Sequence, residues 1–177
     1  MSYATKLAEV SRTPQYIVDL HMTRCANHYG VNNKPNLLLR SEEFDNAAWV
    51  QVGTPIVTAN ATTDPLGGST ADKIEDNDGA AQEYVRQDSG VLAAGKTVNL
   101  SVWVKRDTPG TVHLNISDGV AEAANLAAKV GTAWTRLNLT CVFTGGASGN
   151  IFVRLRPTDA VNAETGYAYF WGAQLTE

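Results

Sequence analysis

A repeated alternation of apolar and polar residues constrains the fold of this chain more than any other feature. It occurs in residues 97–105, 111–117, 135–143, 150–156 and 166–175, and segments that contain Gly, Asn, Asp or Pro separate several of these stretches. A period of two places successive side chains on opposite faces of a β-strand, so that one face can enter a core. Several strands of this kind predict an all-β fold built from antiparallel sheets, in the form of a sandwich or a barrel.

The N-terminal part is less regular and contains the predicted domain boundary. Residues 31–36 include three Asn and one Pro, a composition typical of a linker. We therefore divide the chain into an arm with its linker, residues 1–35, and one domain, residues 36–177. In the arm we predict a strand that can add to the open sheet edge of a neighbouring molecule; its apolar residues are Tyr16, Ile17, Val18 and Leu20.

Three segments of the domain have weaker patterns. Residues 36–40 predict a short apolar strand, and Phe44 and Trp49 predict a turn anchored by two aromatic side chains. Residues 120–130 are rich in Ala and depart from the alternation. For them, one or two helical turns and a long loop across one end of a sandwich both remain open.

The composition excludes several classes of partner. Charged residues make up 18% of the chain and the net charge is −4, with Lys and Arg scattered along the sequence. A nucleic-acid-binding face needs clustered basic residues, so no nucleic-acid partner is expected. No apolar run approaches the roughly 18 residues that cross a bilayer, so no membrane insertion is expected. The polar first fifteen residues predict that the chain has no secretory leader.

Four blocks in the domain carry a resemblance to a domain common in structural proteins of tailed bacteriophages. They are N-L-L-x-x-S-E-x-F-x-x-x-x-W in residues 36–49, T-A-D-K-I in residues 70–74, L-S-x-W-V-K in residues 100–105 and Y-x-Y-x-W-G-A-Q-L in residues 167–175. Together they span the whole of the predicted domain, in order. The resemblance implies a jelly-roll β-sandwich similar to carbohydrate-binding modules.

The function implied by this resemblance is structural. We expect a component of a tailed-phage virion, located in the tail, collar or baseplate or decorating the capsid, and attached through the N-terminal arm. Its expected partners are other phage structural proteins and further copies of itself, with which a trimer is compatible. The alternative is a glycan-binding module that adsorbs the particle to the host surface. A secreted carbohydrate-binding module unrelated to phages is a third hypothesis.

One surface patch is a candidate for glycan binding. Residues 106–110 contain Pro-Gly and predict a hairpin between the strands on either side. In such a hairpin, four outward side chains would form one patch, with Arg154 and Arg156 as candidates to join it; the four are Trp103, Lys105, His113 and Asn115. The alternative is that Trp103 packs under a loop or against another subunit.

Metal binding and catalysis have weaker signals. Asp76 and Asp78 offer closely spaced oxygen ligands, and the resemblance to carbohydrate-binding jelly rolls raises the case for a structural calcium ion. A plain Asn-Asp-Gly turn is the alternative. The acidic residues form no evident catalytic pair and no nucleophile, phosphate-binding or zinc-protease motif occurs, so the chain is predicted not to be an enzyme.

Overall fold

The structure is a computed structural model, and it describes residues 34–120, 122–159 and 164–177. The chain divides into the units Met1–Pro35 and Asn36–Glu177. The described residues contain strands and no helix; the strands are β1 (Val50–Val52), β2 (Ile56–Thr62), β3 (Ala71–Asp76), β4 (Tyr84–Leu92), β5 (Thr97–Lys105), β6 (Gly110–Ser117), β7 (Glu122–Val130), β8 (Thr135–Val142), β9 (Asn150–Arg156) and β10 (Gly166–Thr176). The predicted arm residues Tyr16, Ile17, Val18 and Leu20 lie outside the described residues.

The strands form two antiparallel sheets of five. The first sheet has the order β1-β4-β9-β6-β7 and the second has the order β2-β3-β10-β5-β8. Most neighbours in each sheet are distant in sequence, as jelly rolls require. The prediction of an all-β jelly-roll β-sandwich is confirmed.

The core lies between the inner faces of the two sheets. Val102 and Leu114 are fully buried, as the alternation predicted. Phe44 and Trp49 enter the same core with their ring centroids 5.0 Å apart, which confirms the predicted aromatic turn. Burial of each large apolar side chain contributes roughly 1.5–3 kcal/mol, so these contacts account for much of the stability of the sandwich.

Residues 36–40 are not a strand, contrary to our prediction. They form bends that the side chains of Asn36 and Gln87 hold against the sandwich. Asn36 Oδ1 accepts hydrogen bonds from the amides of Leu38 and Leu175, at 3.1 and 2.8 Å. The Asn36 side chain thus supplies the acceptor that a neighbouring strand would otherwise provide for these two amides.

Within the Ala-rich segment, residues 122–130 form a strand rather than a helical turn or a loop. Strand β7 pairs with β6 from Val130 to Ala124 in continuous register and, after a register shift, at Glu122; it places Leu126 and Ala128 against the core. Alanine favours helices by only a few tenths of a kcal/mol per residue, and the ladder of hydrogen bonds with β6 outweighs that preference.

The sequence patterns also missed β4, which lies between β1 and β9 in the first sheet. Its inward position 87 is a glutamine that is only 2% exposed. Gln87 exchanges two hydrogen bonds with the backbone of Leu39, at 2.6 and 2.9 Å. The strand was not recognised because a polar residue, Gln87, occupies a core position where the alternation predicts an apolar one. The side-chain amide of Gln87 is needed there to bind the backbone of the loop at Leu39.

Candidate functional site

The predicted hairpin between β5 and β6 does not form, because these strands belong to different sheets. The connection crosses from the second sheet to the first and is fixed by Arg106. Its Nη1 donates hydrogen bonds to the carbonyl oxygens of Thr111 and Pro157, at 2.9 and 2.7 Å. Each strand already has two neighbours, β10 and β8 for β5 and β9 and β7 for β6, which leaves no edge for a hairpin.

This crossing divides the predicted patch between two surfaces. Trp103 and Lys105 lie on the outer face of the second sheet, opposite Trp171 and Tyr169 of β10. His113 and Asn115 lie on the outer face of the first sheet; Arg156 is the cross-strand partner of His113, and Arg154 is that of Asn115. The four side chains of the predicted patch therefore do not form one site. Arg154 and Arg156, which were expected to join the patch, do lie beside His113 and Asn115.

The outer face of the first sheet carries a group of basic, aromatic and amide side chains that we call the arginine face. Its members come from β4, β9 and β6; they are Tyr84, Arg86, Phe152, Arg154, Arg156, His113 and Asn115. In the central row, Arg154 lies between two cross-strand partners, Arg86 and Asn115. The register of three strands therefore brings together residues up to 72 positions apart in sequence, Tyr84 and Arg156.

Aromatic rings hold the three guanidinium groups of this face. The guanidinium carbons of Arg156 and Arg154 lie 5.0 and 5.9 Å from the centroid of the Tyr84 ring. That of Arg86 lies 5.6 Å from the centroid of Phe152. A cation over an aromatic ring is attracted by the ring quadrupole, so Tyr84 and Phe152 restrict the orientation of all three arginines.

The arginine face is recessed. Its side chains point away from the core, yet Arg156 is only 9% exposed and Asn115 only 1%. At one end, the ring of Phe152 lies against Gly119, where an added Cβ would come within 2.8 Å of the ring. An outer sheet face with buried polar groups and half-buried rings has the character of a ligand-binding cleft.

Hydrogen bonds fix the remaining polar groups of this face. His113 Nε2 lies 3.0 Å from Oδ1 of Asp159, in the loop after β9. Asn115 Nδ2 donates to Ala124 O and to Oδ1 of Asn125, each at 3.1 Å. The geometry of the face is therefore set before any ligand arrives.

The outer face of the second sheet has a different chemistry, and we call it the tyrosine face. Lys105 Nζ lies 5.1 Å from the ring centroid of Tyr169 and 5.3 Å from that of Trp134. Arg136 lies 5.9 Å from the ring centroid of Trp103. Burial and a hydrogen bond to Asp107 raise the pKa of Tyr169 to about 12, so its hydroxyl remains a donor at neutral pH. The other members of the face are Tyr167, Asp107 and Lys73.

The two predicted calcium ligands lie in a hydrogen-bonded turn. Asp76 Oδ2 accepts from Thr158 Oγ1 at 2.9 Å, and burial raises the pKa of Asp76. Asp78 Oδ1 accepts from the amide of Ala80 at 2.9 Å. Within residues 34–120, 122–159 and 164–177, no group of three or more His, Cys, Asp or Glu side chains could hold a metal ion. Calcium binding by Asp76 and Asp78 stays a prediction.

Tyr84, Arg86 and Phe152 were not named as candidates from the sequence. The alternation in residues 150–156 already placed Phe152 on the same side as Arg154 and Arg156. Tyr84 and Arg86 could not be placed, since their strand was not recognised. In residues 34–120, 122–159 and 164–177, no helix is long and apolar enough to cross a membrane.

The fold belongs to the class of β-sandwiches that carbohydrate-binding modules use. No family model and no curated protein matches the sequence. Among solved structures, the chain is similar to the CBM22-1 xylan-binding domain of Paenibacillus barcinonensis Xyn10C, at 17% identity and a TM-score of 0.61, over 82% of this chain and 96% of that domain.

Two further structures extend the likeness. TmCBM61, solved in complex with β-1,4-galactotriose, is 16% identical with a TM-score of 0.54, over 81% of this chain and 99% of that one. The enzymatically active domain of bacteriophage CBA120 tailspike protein 4 is 19% identical with a TM-score of 0.57. That match covers 80% of this chain but only 21% of the tailspike chain.

Proposed function

We propose that this protein is a glycan-binding module and that the arginine face is its binding site. The observation that carries the proposal is the recessed outer face of the first sheet, where aromatic rings lie beside buried amide and guanidinium donors. Similar structures include a xylan-binding domain and a module in complex with a galactotriose, which supports a carbohydrate as the ligand.

The chemistry of the face suits a sugar. A pyranose ring has apolar C–H groups on its faces and hydroxyl groups around its rim, so it needs a flat apolar surface bordered by hydrogen-bond partners. Tyr84 and Phe152 supply flat rings, and Asn125, Arg86 and Arg154 supply polar groups around them. Rings and polar groups on one sheet are also preorganised, which lowers the entropy lost on binding.

We propose binding without catalysis. Glycoside hydrolysis generally uses two carboxyl groups on either side of the scissile bond. The described carboxylates at this face are Asp88 and Asp159, and both accept hydrogen bonds. Asp88 receives them from Asn150 and from the amide of Gly90, while Asp159 lies beside His113. These contacts suit structural carboxylates that hold the rim of a cleft.

A second function, assembly into a phage particle, is compatible with the first. The four sequence blocks described above and the likeness to a phage tailspike domain favour it. In this proposal the module is part of a virion, attached through the N-terminal arm to other phage proteins, and it adsorbs the particle to a glycan. An antibody against this chain, viewed by electron microscopy on particles from a host that carries its gene, should label a fixed position. Unlabelled particles would contradict a virion role and leave glycan binding untouched.

Glycan binding is tested with an array of neutral and acidic oligosaccharides, followed by calorimetry on those that bind. Tyr84→Ala should lower the affinity at least tenfold, because it removes the ring that holds Arg154 and Arg156. Tyr167→Ala is the matched control, since this half-buried tyrosine lies on the opposite outer face. Circular dichroism verifies that both variants fold. Failure of every glycan to bind, or equal losses in both variants, would contradict the proposal.

A further inference from the structure

We propose that the outer edge of β7 pairs with the same edge of a second copy of this chain, in an antiparallel dimer with twofold symmetry. Among the described strands, β7 has one neighbour in its sheet, β6, and stands at the end of the first sheet. An edge strand exposes a row of backbone N–H and C=O groups that can pair with another chain. The dimer joins two five-stranded sheets into one continuous sheet.

Most of β7 lacks the features that protect an edge strand from pairing. Residues 124–130 pair with β6 in one continuous register and contain no proline and no glycine. Lys129 is the single charged residue among them. Bulges, prolines and several charges are the usual means by which proteins prevent edges from pairing with other chains. A regular edge of this kind is therefore a template for a further strand.

The other edges of the two sheets are less suited to pairing with a copy of themselves. Strand β1 has only three residues. Strand β2 is interrupted by a register shift between Thr58 and Thr62, where Asn60 has a left-handed φ of +53°. Strand β8 is regular, but Arg136 is its single charged residue, so two copies of it would bring no opposite charges together.

The sequence of β7 is complementary to itself in the antiparallel direction. Its nine residues, E-A-A-N-L-A-A-K-V, begin with an acidic residue, Glu122, and have a basic residue, Lys129, near the other end. Two copies aligned over their whole length have Leu126 opposite Leu126, and the acidic end of each strand lies beside the basic end of the other. Opposite charges across a strand pair stabilise it, whereas like charges destabilise it. The charge pattern therefore favours a second copy of this chain as the partner.

The dimer also covers apolar surface that one chain leaves open. Ala124, Leu126 and Ala128 of β7 pack against the core but are only partly buried. The same is true of Leu139 in β8, the edge strand of the second sheet that contacts β7. A strand added to β7 encloses this row of side chains, because Leu126 then meets its own copy at the twofold axis. Burial of apolar surface favours the association.

This arrangement has a consequence for the arginine face. Directly opposite residues of an antiparallel pair project from the same face of a sheet, so the twofold axis is perpendicular to the sheet. The arginine faces of both copies therefore lie on the same side of the continuous sheet. A polysaccharide can then contact both sites, and its second contact becomes intramolecular. This consequence rests on the proposed function, whereas the dimer itself does not.

Sedimentation equilibrium of the full chain tests for the dimer, and charge reversal locates it. The average mass should rise toward twice that of one chain as the concentration increases. Lys129→Glu makes both ends of β7 acidic and should raise the dissociation constant at least about threefold. The double exchange Glu122→Lys with Lys129→Glu restores opposite charges and should recover the wild-type value. Lys96→Glu, between β4 and β5, makes the same change in net charge and is the matched control.

A cysteine on the twofold axis tests the register of the pairing. Cross-strand partners have Cα atoms about 4.5–5.5 Å apart, within the range that a disulfide bridges. Leu126→Cys in a Cys25→Ser background should therefore form a disulfide-linked dimer under mild oxidation. Asn138→Cys, at an exposed position of β8, is the control and should stay unlinked. Because Lys129 is exposed, its reversal decides the matter even if Leu126→Cys unfolds.

The outcomes separate this proposal from the proposed function. A chain that stays monomeric up to about 1 mM would overturn the dimer, since even weak association appears at that concentration. A dimer that is insensitive to the charge of residue 129 and forms no disulfide at position 126 would overturn the assignment to β7. A dimer with both properties that binds no glycan would support this inference and contradict the proposed function alone.

Discussion

The hydroxyl of Tyr169 donates a hydrogen bond to Oδ2 of Asp107 over 2.9 Å. Tyr167 donates to the same oxygen over 3.1 Å. Burial and these contacts raise the pKa of Tyr169 to about 12, because ionisation would remove a donor and place two anions together.

Asp107→Asn should therefore lower the pKa of Tyr169, as followed by NMR of tyrosine labelled at Cζ. An unchanged titration would show that burial alone sets this value. Asp88→Asn, on the other sheet, is the control.

A second prediction concerns the buried carboxylate of Glu83. Its Oε1 accepts hydrogen bonds from the amide and hydroxyl of Thr54, and its Oε2 accepts one from the amide of Asn77, at 2.7–2.8 Å. Burial acts to raise the pKa of Glu83, but these hydrogen bonds outweigh it and lower the pKa below the usual 4.5. The charged form is thus favoured by folding, and its contribution to stability is present above pH 4.5 and lost as the pH falls.

Glu83→Gln should accordingly cost about 1.5–3 kcal/mol of unfolding free energy at pH 7, and less at pH 3. Urea denaturation at a series of pH values measures this difference. Glu43→Gln is the control, because Glu43 is exposed and its ion pair with Arg40, at 3.3 Å, is worth less than about 1 kcal/mol. A cost for Glu83→Gln that does not change with pH would contradict the argument.

A third prediction uses two glycines that share a backbone conformation. Gly119 and Gly90 have φ of +79° and +70°, but an added Cβ would lie 2.8 Å from the Phe152 ring at Gly119 and would contact nothing within 4 Å at Gly90. Gly90→Ala should cost about 1–2 kcal/mol from backbone strain alone. Gly119→Ala should cost more and should also weaken glycan binding, since Phe152 must move away from Arg86. Thermal unfolding and calorimetry measure the two effects, and equal costs would rule out the ring contact.

A fourth prediction concerns Asn36, the first residue of the domain. Its Nδ2 donates to Ser41 Oγ at 2.7 Å and to Ala173 O at 3.0 Å, while its Oδ1 accepts from Leu38 and Leu175. Asn36→Ala should destabilise the domain by about 1–2 kcal/mol, because several backbone groups lose their partner. Asn99→Ala, which removes one exposed hydrogen bond to Thr140, should cost under about 0.5 kcal/mol. Equal midpoints of urea unfolding for the two variants would contradict the role given to Asn36.

The regular strands could be predicted because each has a face of aliphatic residues. Residues 97–105 and 150–156 are strands with the same bounds in the structure, and all of their aliphatic side chains are buried. Strand β4 could not be recognised, since its core position is Gln87. The Ala-rich β7 was also missed, because it has few large apolar side chains to form an alternating pattern. Hydrogen bonds to β6 contribute much of what holds it in the sheet, and a sequence pattern does not show them.

The composition of the site could be predicted only in part. His113, Asn115, Arg154 and Arg156 follow from alternation within single strands. Their assembly with Tyr84 and Arg86 depends on which strands are neighbours, and that is decided by contacts between segments far apart in sequence. Residues 106–109 could equally have turned back within one sheet. In the structure the chain crosses instead, and the Arg106 side chain holds the crossing by hydrogen bonds to the carbonyl oxygens of Thr111 and Pro157.

The crossing between β5 and β6 leaves the arginine and tyrosine faces back to back, on sheets that pack about 10 Å apart. No single small ligand can contact both faces, so a ligand bound at the arginine face leaves the tyrosine face accessible.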